Sequence, residues 1–250
     1  MSKETGSYVN IAPIFIEMGR SCDIPTPPGV EACWNNLGIT MKAADHQIDS
    51  TGDKASRILL VECATSFLSG ECDSFVTDNS TLNIQMQDLR THLRGLGKVE
   101  SFVLNLKNLC KVTEKLREAK SLRELSILTR LEGQITANLY TCLLPRGKSE
   151  DAKKLRKYIR LTTRLGRVAN NFDTAVDLPD DSANMLVCVK PSLLNRALLV
   201  RDVSGDAFFI MRNVNPRTIV RLKKSVKKVF DDNQKTFGSE SSIDFEPKKF

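Results

Sequence analysis

Between Ser149 and Pro179 no proline interrupts a pattern in which Leu155, Tyr158, Leu161, Leu165, Val168, Phe172 and Val176 recur every three or four residues. That spacing predicts one long amphipathic helix, with Glu150 and Asp151 in its first turn, where the helix dipole favours carboxylates, and Pro179 at its end. Within it, GRVANNFDTAVDLPDD sets Asp173, Asp177 and Asp181 four residues apart. Residues at that interval stack on one helix face, where like charges repel. Something has to compensate them.

The same periodicity runs through most of the chain. After PTPPG, whose prolines favour an extended approach, Val30, Trp34, Leu37, Met41, Ala44 and Ile48 mark a helix. Further helices are expected at about 54 to 69, 82 to 94, 99 to 118 and 121 to 143. Gly95 and Gly97 separate the second of these from the third, and Ser121 is placed to cap the fourth. In MLVCVKP and RALLVRDVSGDAFFIM a hairpin competes with helix, helix being favoured. The expected organisation is an extended lead-in over 1–29, a single all-α domain over 30–232, and a loose polar tail over 233–250.

The chain has 250 residues, 41% of them hydrophobic, which suffices for a real core. No apolar run approaches the length of a spanning helix, and MSKETGSYVN lacks the layout of a signal peptide, so a soluble, cytoplasmic protein is expected. Seven scattered cysteines without a CxxC pair read as reduced, packed thiols, and with two histidines a zinc site is not expected. The formal charge of +7 is concentrated between Lys107 and Arg167. It invites nucleic acid, or peripheral contact with the inner face of an anionic membrane, as partner; solvated helix faces are the plainer reading. GKS in LLPRGKSE is not a phosphate loop, because Cys142 stands where that loop needs glycine.

The carboxylates come in two sets. Asp45 borders the apolar stripe of the first helix, four after Met41 and three before Ile48, with Asp49 one turn on. Asp173 lies four after Ala169 and three before Val176, with Asp177 one turn on. Two such pairs beside a helical interior need cations or extensive hydrogen bonding. Magnesium ions, which bind through one or two carboxylates each and complete their shells with water and phosphate, are one solution. Exposure at helix ends, or pairing with Lys42, Arg164 or Arg167, is the other.

With these motifs the chain resembles the class I isoprenoid synthases, and within them the squalene/phytoene synthase branch of head-to-head prenyl transferases. ADHQID is similar to the family's first DxxxD motif through Asp45 and Asp49, and LGRVANNFDTAVD to its second through Asp173 and Asp177. Gly166, Asn170, Asp173 and Asp177 also look like the second motif of the chain-elongating branch. His46, Ala169 and Thr174 depart from the residues common at those places.

The resemblance implies an isoprenoid-synthase-like helical bundle around a central cavity, with Mg²⁺ held by Asp45, Asp49, Asp173 and Asp177. It implies a prenyl diphosphate substrate, such as farnesyl or geranylgeranyl diphosphate, contacted by Lys42, Arg164, Arg167 and Asn170. The activity implied is ionisation of that allylic diphosphate by a prenyl transferase or terpene synthase, with Met41, Trp34, Leu37, Leu165 and Phe172 as apolar walls. Two other readings stay open: a noncatalytic relative of the same fold that binds a prenyl diphosphate or a protein, and a basic helical nucleic-acid-binding protein.

Overall fold

The computed structural model describes residues 11–51, 53–145, 149–183 and 187–224. All regular structure among them is helical. In chain order the helices are α1 (Ile11–Ser21), α2 (Pro28–Ser50), α3 (Lys54–Ser69), α4 (Ser80–Leu96), α5 (Val99–Arg117), α6 (Leu122–Thr141), α7 (Ser149–Ala183), α8 (Leu193–Asp202) and α9 (Ser204–Asn213). A further helical stretch occupies 216–224. The expected polar tail over 233–250, and Gly147 and Lys148 of the GKS triplet, lie outside the described residues.

Local chemistry sets most boundaries. Asp53, Asn79 and Ser121 accept the backbone N–H groups of Ser56, Leu82 and Glu124, so α3, α4 and α6 each begin on a side-chain cap. Gly70 and Gly97 end α3 and α4 at φ of 90° and 63°, in the left-handed region where a side chain would strain the backbone. Pro27 and Pro28 start α2, as proline does at a first helical turn.

Three expectations are corrected. The lead-in is not extended throughout. Residues 11–21 form α1, whose Ala12, Phe15 and Met18 recur at helical spacing and are buried. Phe15 stacks on Tyr140 at 4.4 Å and lies 5.6 Å from Trp34, while Tyr158 Oη donates to its carbonyl at 3.2 Å. The α1 helix thus closes the junction of α2, α6 and α7, where Trp34 Nε1 also donates to the Tyr140 carbonyl at 2.7 Å.

Pro179 does not end α7, which continues to Ala183. Proline has no N–H to offer the carbonyl four residues back, and the freed group here is that of Ala175. Arg196 of α8 supplies the replacement, its Nε donating to Ala175 O at 2.6 Å. The third correction concerns the far end of the apolar stripe. Phe172 and Val176 are 45% and 43% exposed, and beyond Val168 the buried positions are Asn171, Ala175 and Leu178, on the side that α8 covers. The segment where hairpin and helix competed forms α8 and α9.

Helix α7 is the centre of the packing, touching α1, α6, α8 and α9, with α6 in turn against α5 and α2 against α4. The main core spans α1 to α7 and reaches Ile210 of α9, while a smaller cluster of Leu125, Ala175, Leu178, Val187, Val189 and Leu199 sits under α8. Where α6 crosses α7, Gly133 and Gly166 face each other. A Cβ built on either would lie 2.2 Å from the carbonyl oxygen of the other, so both positions require glycine.

Candidate carboxylate site between α2, α6 and α7

The glycine crossing fixes which side chains flank it. Glu132 precedes Gly133 on α6, and Asn170 lies one turn beyond Gly166 on α7. Asn170 Nδ2 donates to Glu132 Oε2 at 2.8 Å and to the Thr129 carbonyl at 3.1 Å. Thr113 Oγ1, from α5, donates to Glu132 Oε1 at 2.6 Å. Both carboxylate oxygens of Glu132 are therefore held at the helix crossing.

Asp173 is next along this face. Its side chain is reached by solvent, yet protein surrounds it, and burial is the first cause that pushes its carboxyl up to about 7. The charges of Asp177, Asp181, Asp45 and Glu132 push in the same direction. Negative charge from α2, α6 and α7 thus acts on Asp173, which itself stays exposed.

The structure thus brings Asp45, Asp173 and Asp177 into one electrostatic neighbourhood. Asp45 and Asp177 are exposed and Lys42, three residues before Asp45, is half-buried. The side chain of Asp49 lies outside the described residues. Asn170 is engaged in the α6–α7 contact rather than left open. Arg164 and Arg167 are turned elsewhere. Nine residues at about 100° each place Arg164 half a turn round α7 from Asp173. Its Nη1 pairs with Asp206 of α9 at 2.5 Å and its guanidinium lies 4.0 Å over the Phe209 ring. Arg167 lies 3.8 Å from the same carboxylate and donates to Gln134 Oε1.

Glu132 and Asp206 carry roles that sequence reasoning did not assign. The signal for Glu132 was the mid-helix glycine beside it, since glycine inside a helical pattern marks a close backbone approach. Asp206 is placed by the packing of α9 on α7, and no local pattern announces it.

The inner face of α2 also lines an apolar cavity of about 70 Å³, bounded by Met41, Ala44, Ile48, Leu60, Met86 and Phe102 among others. It is small against a fifteen-carbon chain, so a ligand of that size has to part α2 to α5.

Carboxylate oxygens are hard donors, and a neighbouring positive charge would offset the causes that raise Asp173. Among the described residues no three of His, Cys, Asp and Glu are gathered tightly enough to form a complete protein cage. Magnesium does not need one, because it keeps several waters and takes only one or two carboxylates. No described helix is long and apolar enough to cross a membrane. No family model matches the chain, and no curated protein or solved structure matches it either.

Proposed function

We propose that this chain is a Mg²⁺-dependent isoprenoid synthase that ionises an allylic prenyl diphosphate, such as farnesyl or geranylgeranyl diphosphate, at the carboxylates of α2 and α7. The observation that supports the reading is that the charge of Asp45 raises the Asp173 carboxyl in the same direction as Asp177 does, although the two DxxxD motifs lie 128 residues apart in sequence (173 − 45). The resemblance of ADHQID and LGRVANNFDTAVD to the family's paired motifs supports it.

Asp45, Asp173 and Asp177, with Asp49 by motif, would hold the metal. When bound, Mg²⁺ supplies the positive charge that stabilises a departing diphosphate. Asp173 has to give up its proton to become a ligand, which ties binding to pH. Glu132, held by Thr113 and Asn170, would add its charge to the attraction for a cation at Asp173. Met41 and Ala44, on the same helix as Asp45, would offer apolar surface to the substrate chain.

The test is incubation with farnesyl or geranylgeranyl diphosphate and Mg²⁺, following released pyrophosphate and extracted hydrocarbon. Turnover abolished by EDTA and by Asp173→Asn supports the reading. Absence of turnover together with absence of Mg²⁺-dependent binding of the substrate rejects it. A second reading, a noncatalytic relative that binds a prenyl diphosphate or a protein, is favoured by one observation: Arg164 and Arg167 are committed to Asp206. Substrate binding without pyrophosphate release would select it.

A further inference from the structure

On the other side of α7, nearer its start, Lys153, Arg156, Lys157 and Arg160 line an open pocket of about 460 Å³, closed on the α9 side by Phe209 and Asn213. All four cations are exposed, and none forms an ion pair with a described residue. Among the described residues no acidic side chain lines the pocket. Steps of three and four residues stack these side chains on one helix face, where like charges repel unless an anion joins them.

The next turns of the same face show the contrast. Arg164 and Arg167 share Asp206, and Arg164 rests on the upper face of the aromatic group that Arg160 also approaches, at 5.5 Å. Asp206 therefore neutralises only the far end of this basic ladder. The near end keeps its charge beside a concave space of ligand size.

We propose that this pocket binds a ligand carrying two or more phosphoryl groups, independently of metal and of the carboxylate site. Two guanidinium groups offer the planar forks that match phosphate oxygens, and two ammonium groups add point charges within two helical turns. Arg160 and Asp173 are thirteen residues apart, about 20 Å along α7. The two sites are therefore separate in position and opposite in charge. The phosphoryl groups could belong to a soluble molecule or to a lipid headgroup, and the chemistry recognised is the same.

The experiment is titration of the full chain with inorganic pyrophosphate in EDTA, by calorimetry at fixed salt. A parallel arm measures sedimentation with phosphatidylcholine vesicles, with and without 10% of a bisphosphorylated inositol lipid, on the order of physiological ionic strength. The expected result is saturable binding of pyrophosphate that weakens at least about tenfold in Lys153→Ala/Arg156→Ala and is unchanged in Lys107→Ala/Lys111→Ala, which removes two exposed charges from α5. Binding to the charged vesicles that pyrophosphate displaces identifies a headgroup as source; pyrophosphate binding without vesicle binding identifies a soluble ligand. Absence of saturable pyrophosphate binding, or equal weakening in both double variants, overturns the proposal. The use of EDTA keeps this outcome distinct from failure of the magnesium site.

Discussion

Gly133 and Gly166 meet backbone to backbone, each leaving no room for a Cβ on the other. The contact sets α6 against α7 closely enough for Asn170 to span from Glu132 to the Thr129 carbonyl. Alanine at a helical glycine ordinarily stabilises by about 1 kcal/mol through propensity. Here the clash reverses the sign. Gly133→Ala and Gly166→Ala should each destabilise the fold by about 2 kcal/mol or more, read as a lower urea midpoint.

Asp173 titrates near 7 in the folded chain against 3.8 for a free carboxyl. Between those values the folded state holds a proton that the unfolded chain has released. Stability from this group is therefore fully present below about pH 4 and is lost as pH rises toward 7. Asp173→Asn, which carries no charge to repel its neighbours, should gain stability relative to the natural chain at pH 8, and the gain should vanish at pH 4. Thermal melts of both proteins across that range check the sign.

The carbonyl that Pro179 leaves without a helical partner is held by Arg196. Arg196→Ala should cost about 1–3 kcal/mol, the penalty of a buried acceptor left unsatisfied. Restoring the N–H with Pro179→Ala in the same chain should recover much of that loss. Denaturant melts of the two single variants and the double variant measure the coupling.

All seven cysteines are free thiols. Cys63, Cys72 and Cys188 are exposed, whereas Cys22 and Cys33 are buried, and burial pushes Cys33 up to about 12. Iodoacetamide at pH 8 should label the three exposed thiols first and reach Cys22 and Cys33 only on unfolding. Peptide mapping of a short pulse reads the order.

The helical class and most element limits were legible because they depend on neighbours in sequence. The repeat of Val30, Trp34, Leu37 and Met41 predicts α2 from position alone, and the Ser121 hydroxyl caps α6 as its place before an apolar run implies. Helix α1 is not legible from the prolines of PTPPG, which govern only the residues beside them, although Ala12, Phe15 and Met18 follow the helical spacing. A local reading also ends α7 at Pro179. A local rule has no access to Arg196, seventeen residues on (196 − 179), which makes the proline tolerable.

The candidate site divides in the same way. The sequence by itself determined that Asp173 and Asp177 share a face and that Asp45 flanks an apolar stripe, since helical pitch alone relates residues a few positions apart. Only the tertiary structure decided that the charges of Asp45 and Glu132 act on Asp173, and that Arg164 turns away to Asp206. Those relations arise where separate helices pack, and packing is set by shape and burial summed over the whole core, with the Gly133–Gly166 crossing as its tightest point.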